Sequence, residues 1–202
     1  MNKQKFLKSL QSLGGWRERA FILALAERAA PNAMLYFENI DTDELEEKPD
    51  LAAAFKAMWQ HLILEPNEDA IIELLDKIVE WRTLCDASDS YGAMPTADCL
   101  EITEQALLSG INEEKKRAFE ASQISLATVT QFIEFSEGEG LDENELIKLF
   151  DRHPLVEREF SFQAELNDIL RSATHPGSEV IQNIRELAQD EGLSNIGISL
   201  QD

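Results

Sequence analysis

Apolar residues recur along most of the chain at steps of three and four positions, which is the spacing of one face of an α-helix. The first such run covers residues 3–13 and ends at Gly14. The next run is apolar on every side over residues 20–26, and a helix without a polar face is expected in the core. Pro31 interrupts this second run and predicts a break in its helix.

Boundary residues divide the remaining chain into further helices. Asn67 is followed by two acidic residues, a pattern typical of a helix N-terminus. Asp142 and Glu145 have the spacing of a capping box, and Gly110 is expected just past a C-terminus. Apolar alternation typical of an extended segment is convincing only at residues 196–200.

These patterns predict an all-α fold with one domain over residues 1–202. The architecture expected is a multi-helix bundle of about eight substantial helices with a short extended C-terminal tail. A chain of this length buries enough surface to fold without disulfides or a metal. The apolar alternation of the tail favours docking onto its own domain or onto a partner.

The charge balance is strongly acidic, with 18 Lys and Arg against 39 Asp and Glu and a net charge of −21. Such a surface repels phosphate backbones and anionic membranes, so we expect neither nucleic acid nor membrane as a partner. The simplest interpretation of the charge is solubility. The alternatives are a basic protein partner or a surface that mimics nucleic acid.

The two cysteines, Cys85 and Cys99, form no C-x-x-C motif and are compatible with a reducing compartment. The N-terminal stretch lacks a continuous apolar segment of the kind found in secretory signals. The longest apolar run, residues 20–26, is far too short to span a bilayer. We therefore expect a cytoplasmic protein.

Motifs for common cofactors and nucleophiles are missing from the sequence. None of the three histidines, His61, His153 and His175, lies in a zinc or di-iron motif. Nucleotide-binding glycine loops and the G-x-S-x-G nucleophile motif are also missing. The sequence thus indicates no cofactor and no metal, and it does not decide whether the protein is an enzyme.

The loop over residues 86–98 concentrates Asp89, Tyr91 and Asp98 around a glycine and a proline. Turn chemistry explains every one of these residue types, which favours a structural helix–helix connection. The alternative is that the two carboxylates and the phenol converge on a ligand or a cation.

Glu27 and Arg28 follow the apolar run that is expected in the core. Because a buried charge must be paired, Arg28 is expected to reach a carboxylate, with Asp89 and Asp98 as candidates. A structural ion pair is favoured over an active-site acid, and a position near the surface is the simplest alternative.

The polar residues Ser122, Ser125 and Thr128 recur at steps of three along one face of a long predicted helix. Small side chains of this kind allow another helix to approach closely, and their hydroxyls can bond back to their own helix. We interpret them as packing positions, with a polar binding groove as the alternative.

One pattern of residues extends over nearly the whole chain and consists of Trp16, Phe21, Leu25, Glu27, Arg28, Pro31, Asn32, Asp89, Tyr91, Gly92, Pro95, Asp98, Ser122, Ser125, Thr128, Val129, Pro154, Val156, Glu157 and residues 194–198. In this pattern the chain resembles the YjaG-like family of uncharacterised bacterial proteins, a domain of unknown function. This chain differs by a longer acidic connector around residues 41–48. The resemblance implies a cytosolic, all-helical fold, and it brings no assigned activity, cofactor or catalytic residue.

Two functional hypotheses follow. The first is a non-enzymatic cytosolic protein that acts through contacts with an unidentified protein partner, with a homodimer as one form of this. It predicts an exposed apolar surface. The second is a small-molecule or metal-ion binding protein, conceivably an enzyme, that uses Glu27, Asp89, Tyr91 and Asp98. It predicts a pocket in which these side chains converge.

Overall fold

A computed structural model describes residues 3–40, 48–86, 88–112 and 116–200. Residues 41–47 of the predicted acidic connector and Ala87 of the predicted loop lie outside this part. The helices of the described residues are α1 (Lys3–Leu10), α2 (Trp16–Asn39), α3 (Leu51–Met58), a π-helical segment (Trp59–Leu64), α4 (Glu68–Asp86), α5 (Ala93–Ile111), α6 (Arg117–Glu137), α7 (Glu143–Phe150), α8 (Pro154–Ser172) and α9 (Ser178–Gln189).

Helix α2 forms the centre of the bundle, and every residue from 20 to 33 is buried. The all-apolar run therefore lies in the core, as its pattern predicts. Pro31 does not break this helix, because α2 continues to Asn39. Proline removes one backbone hydrogen bond, to the carbonyl of Glu27, and burial of the side chains on both sides of it outweighs that loss.

Helix α5 packs against both α2 and α4, and Gly110 has a different role from the predicted one. It lies inside α5, which ends at Ile111. A methyl group at this glycine would lie 2.5 Å from Leu62 and 3.0 Å from Ile71. The glycine thus allows close packing of α5 against its neighbours and does not end the helix.

The predicted polar helix starts are present. The side chain of Asn67 accepts a hydrogen bond from the backbone N–H of Ala70 at 3.2 Å. Asp142 and Glu145 form a complete capping box, with both side-chain to backbone distances at 3.0 Å. The sequence was sufficient to predict these helix starts because the donor and the acceptor of each capping bond lie within four residues of one another.

The C-terminal segment turns back into the bundle after α9. Backbone φ angles of 41°, 56° and 89° at residues 190, 191 and 192 reverse the chain direction. An isolated antiparallel bridge then closes the turn that follows. Ile196 from this turn is buried against Val129 and Ile133 of α6. The tail is therefore docked on its own domain.

The described residues contain no β-strand apart from that single bridge, so the predicted all-α fold is confirmed. Most helices contribute to one large cluster of buried apolar side chains. Across the same described ranges, no helix combines the length and apolar character needed to cross a membrane.

Candidate functional sites

Glu27 is held inside the bundle by donors from two other elements. Its side chain is 6% exposed, and its carboxylate accepts hydrogen bonds from Trp59 Nε1 at 2.8 Å and from Arg185 Nη2 at 2.7 Å. Gln189 Nε2 adds a third donor at 3.0 Å. The carboxylate therefore links α2 to the π-helical segment and to α9.

Arg28, the next residue, faces a different pair of carboxylates. Its Nε donates to Glu159 Oε2 at 2.9 Å, and its Nη1 donates to Asp190 Oδ2 at 3.2 Å. The guanidinium also lies 4.4 Å from the centre of the Phe162 ring, which adds a cation–π contact. The ion pair is buried, and its partners come from α8 and the segment after α9, not from the 86–98 loop.

Glu159 is the centre of a buried polar network. Its Oε1 accepts from Ser125 Oγ at 2.7 Å and from Gln163 Nε2 at 2.8 Å, while Ser122 Oγ donates to Gln163 Oε1 at 2.6 Å. The Ser122 and Ser125 hydroxyls thus bind α8 directly, in addition to allowing close packing. Sequence reasoning missed Glu159 and Gln163, whose spacing of four residues was the available signal.

Asp98 lies at the start of α5 and faces α6. It accepts a hydrogen bond from Thr128 Oγ1 at 2.7 Å. Burial raises the pKa of the Asp98 carboxyl, the Thr128 hydrogen bond lowers it, and nearby Glu101 raises it further. Thr128, the third of the polar residues that recur at steps of three on α6, therefore binds the carboxylate of Asp98 in the predicted loop.

Tyr91 packs its ring onto α6 beside Asp98. Its ring centre lies 4.0 Å from that of Phe135, in a stacked arrangement. Burial, and then the Asp98 carboxylate, raise the pKa of Tyr91 to about 12. Asp89 is exposed, and no hydrogen bond or ion pair of its side chain occurs within the described residues.

The five predicted site residues therefore occupy separate environments. Glu27 and Arg28 are paired with α8, α9 and the segment after α9, while Tyr91 and Asp98 lie against α6. Helix α6 connects the second environment to the first, since Ser125 binds Glu159 one turn away from Thr128. Asp89 joins neither group.

An open groove of about 1150 Å³ lies between α8 and α9. Its apolar lining includes half-buried Ala164, Ile169 and Val180. Four carboxylates also line it, and no Lys or Arg is among its described lining residues. These acidic residues are Glu165, Asp168, Glu179 and Glu186.

The acidic residues of the groove are too dispersed to form a metal centre. In the part of the chain that the structure describes, no group of three or more His, Cys, Asp or Glu side chains is placed to hold a metal ion. The chemistry available in the groove is apolar contact with its half-buried residues and attraction of positive charge by its exposed carboxylates. Sequence reasoning missed the groove because acidic residues on a helix surface are normally solvated.

A second exposed apolar surface lies on α4. Ile72 and Val79 are 42% and 45% exposed, and half-buried Leu75 lies between them on the same side of the helix. This surface has the apolar character expected of an interaction protein. It differs from the α8/α9 groove in that it lies on the face of a single helix.

The fold and these sites define an all-helical protein with a buried ion-pair network and an acidic surface groove. The chain belongs to the family described as "Protein of unknown function (DUF416)", whose model matches residues 5–199. This family membership confirms the resemblance noted from the sequence.

The relatives cover nearly the whole chain. The chain is 28% identical over 195 residues to "Uncharacterized protein YjaG" of Escherichia coli, with 95% of each chain covered. An "Uncharacterized protein" of Haemophilus influenzae is 28% identical over 194 residues, again with 95% of each chain covered. Neither relative has an assigned activity in its name.

The fold also matches a crystal structure. A DUF416 family protein from Shewanella baltica superimposes with a TM-score of 0.82 and 25% sequence identity. The match covers 96% of this chain and 98% of the other. The helical architecture is therefore common to both proteins.

Proposed function

We propose that this chain is a non-enzymatic cytoplasmic protein whose groove between α8 and α9 binds a basic amphipathic helix of a protein partner. One observation carries the proposal: the groove combines half-buried apolar residues with four exposed carboxylates and has no Lys or Arg in its described lining. An apolar groove accepts the apolar face of a helix, and carboxylates at its sides attract flanking Lys and Arg.

The dimensions of the groove fit this occupant. The lining runs from Ser161 to Ser172 on α8 and from Glu179 to Glu186 on α9. At 1.5 Å per residue these stretches are about 17 Å and about 11 Å long, which matches roughly two to three turns of a bound helix. The net charge of −21 speeds the approach of a basic segment and repels nucleic acid and anionic lipid. Charge and shape thus support the same class of partner.

The proposal is tested with a synthetic amphipathic helix that has leucines on one face and lysines on the other. The matched probe replaces each lysine with glutamate. Fluorescence anisotropy is expected to show saturable binding of the lysine peptide, weakened by added salt, and no binding of the glutamate peptide.

Groove variants locate the binding site. The triple variant Glu165→Gln, Asp168→Asn, Glu186→Gln removes three carboxylates from the groove. Its affinity for the lysine peptide is expected to fall by about tenfold, because three charge pairs of modest strength are lost.

A matched control removes the same number of charges elsewhere. The variant Glu73→Gln, Asp76→Asn, Glu80→Gln neutralises three exposed carboxylates of α4 and leaves the groove unchanged. It is expected to bind the lysine peptide within about twofold of the wild type at physiological salt, because distant charges are screened. Equal losses of affinity in the two triple variants would show that the peptide responds to the overall charge of the chain and not to the groove. That result would overturn the proposal.

A second copy of the chain is the other partner to test. Sedimentation velocity on the wild type and on Val79→Ser distinguishes self-association from binding of a different protein. A dimer that dissociates in Val79→Ser would place self-association on the exposed α4 surface. A monomer that binds the lysine peptide supports the groove.

The alternative function is a small-molecule or metal-ion site around residues 86–98. The packing of Tyr91 beside Asp98, and the raised pKa of each, favour this alternative. Native mass spectrometry of protein purified without chelator tests it. Extra mass that is present in the wild type and lost in Asp98→Asn would support the alternative, and a bare chain mass in both would eliminate a tightly bound ligand.

A further inference from the structure

A smaller cavity of about 250 Å³ lies where α2, α3 and α9 meet. Its walls are mainly apolar and include Pro31 and Met34 of α2, Phe55 of α3, and Leu200 of the C-terminal segment. A liquid water molecule takes up about 30 Å³, so a cavity of this size holds a compact group of roughly eight heavy atoms. The walls favour a ligand with an apolar body.

Three polar residues line one part of this cavity: Glu27, Arg185 and Gln189. The carboxylate of Glu27 is already occupied, since it accepts bonds from Arg185, Gln189 and Trp59. Its negative charge is balanced by Arg185, at 2.7 Å. A cationic ligand would have to displace these bonds, so the cavity does not favour a cation.

Arg185 keeps donors for a ligand. A guanidinium has five N–H groups arranged on two edges. The edge formed by Nε and Nη2 lies on Glu27, at 3.2 Å and 2.7 Å from Oε1. No hydrogen bond of Nη1 occurs within the described residues, and the side chain is 31% exposed. The second edge is the one suited to two parallel hydrogen bonds from a carboxylate.

We infer that this cavity binds a small monocarboxylate with an apolar body, such as a short-chain fatty acid. The carboxylate lies on the second edge of Arg185, and the hydrocarbon contacts Met34 and Phe55. Carboxylates more than about 8 Å away are screened at physiological ionic strength. Glu27, which lines the cavity itself, accepts hydrogen bonds from Arg185, Trp59 and Gln189, and these donors offset its negative charge. This inference is independent of the proposed function, because Arg185, Met34 and Phe55 do not line the α8/α9 groove.

The probe is hexanoate, followed by two-dimensional ¹H–¹⁵N NMR of the full chain. Saturable shifts are expected for amides of α3 and α9. Hexan-1-ol, which has the same body without the charge, is expected to bind at least about tenfold more weakly, because a charge-assisted pair of hydrogen bonds is lost. Acetate, which has the charge without the body, is expected to give no saturable shifts.

Two variants of different kinds keep the test decisive. Arg185→Gln removes the guanidinium and is expected to abolish hexanoate binding. Ala52→Trp blocks the cavity at an exposed position of α3 and leaves the Glu27–Arg185 pair intact. Arg152→Gln, at an exposed arginine outside the cavity, is the matched control and is expected to bind like the wild type. Melting curves establish that each variant is folded.

Several results would overturn the inference. Hexanoate and hexan-1-ol could bind equally, which would leave only an apolar cavity. Ala52→Trp could bind like the wild type, which would place the ligand elsewhere. Shifts confined to the α8/α9 groove, or equal losses in Arg185→Gln and Arg152→Gln, would have the same consequence.

Discussion

Arg28 and Glu159 form an ion pair in the interior although they are 131 positions apart in the sequence. The Nε–Oε2 distance is 2.9 Å, and the side chains are 2% and 0% exposed. Such a pair needs further hydrogen bonds to offset the loss of hydration. Ser125 and Gln163 supply them to Glu159, while Asp190 supplies a second carboxylate to Arg28. The pair fixes how α2 and α8 meet.

Removal of Arg28 alone is expected to destabilise the protein strongly. Arg28→Met leaves the Glu159 carboxylate buried without its cation, and losses of this kind are about 3–5 kcal/mol. The free energy of unfolding from urea denaturation measures this loss. The double variant Arg28→Met, Glu159→Met is expected to recover most of it, because no buried charge is left unpaired. Asp190 also loses Arg28, but its side chain is 41% exposed and is hydrated. If the double variant lost as much unfolding free energy as the two single variants together, the pair would not be coupled and the prediction would be wrong.

The two tyrosines are expected to respond in opposite ways to loss of the hydroxyl group. The Tyr91 hydroxyl is buried without a hydrogen-bond partner among the described residues, so Tyr91→Phe should leave the unfolding free energy unchanged within about 0.5 kcal/mol or raise it. The Tyr36 hydroxyl donates to the Leu84 carbonyl at 3.1 Å, so Tyr36→Phe should lower it by about 1 kcal/mol. A larger loss for Tyr91→Phe would reveal a partner for that hydroxyl.

Asp98 is expected to make stability depend on pH. Burial raises the pKa of this carboxyl above its ordinary 3.8, so above that pH the folded state holds more protons than the unfolded state. The contribution of Asp98 to stability therefore falls as pH rises. In Asp98→Asn this fall is absent, so the stability of the variant relative to the wild type should increase from pH 4 to pH 7. Urea denaturation at several pH values measures it, and a constant difference would contradict the prediction.

Both cysteines are expected to be unreactive in the folded protein. They are free and buried. Burial, reinforced by Asp86, raises the pKa of Cys85 to about 11, and burial, reinforced by Asp98, raises that of Cys99 to about 12. The thiolate is the reactive form, so modification by dithiobis-nitrobenzoate at pH 8 should follow unfolding. Two thiols should react rapidly in urea, and one fast thiol without urea would show that a cysteine is accessible.

Local patterns were sufficient for the fold class and for several helix ends. The apolar run over residues 20–26 predicted the buried helix, and Asn67 and Asp142 predicted helix starts that the structure contains. Pro31 and Gly110 were misinterpreted for one reason. Each has a local preference that ends helices, and contacts with distant parts of the chain outweigh it.

The buried network could not be predicted from local patterns. Glu159, Gln163 and Asn167 lie at steps of four on the inner side of α8, where polar residues are rare. They are tolerated there because each meets a partner from another helix: Arg28, Ser122 and Ser9. A single sequence contains the residues of such a network but does not contain their pairing.

The position of α2 also determines how the protein opens. Residues 20–33 are covered on all sides, chiefly by α5, α6, α8 and α9. Their backbone N–H groups can meet solvent only when those helices separate, so their hydrogen exchange should require the full free energy of unfolding. Short helices at the periphery, such as α7, have no buried residue and can open alone. The chain therefore has a slow-exchanging centre within a faster-exchanging periphery.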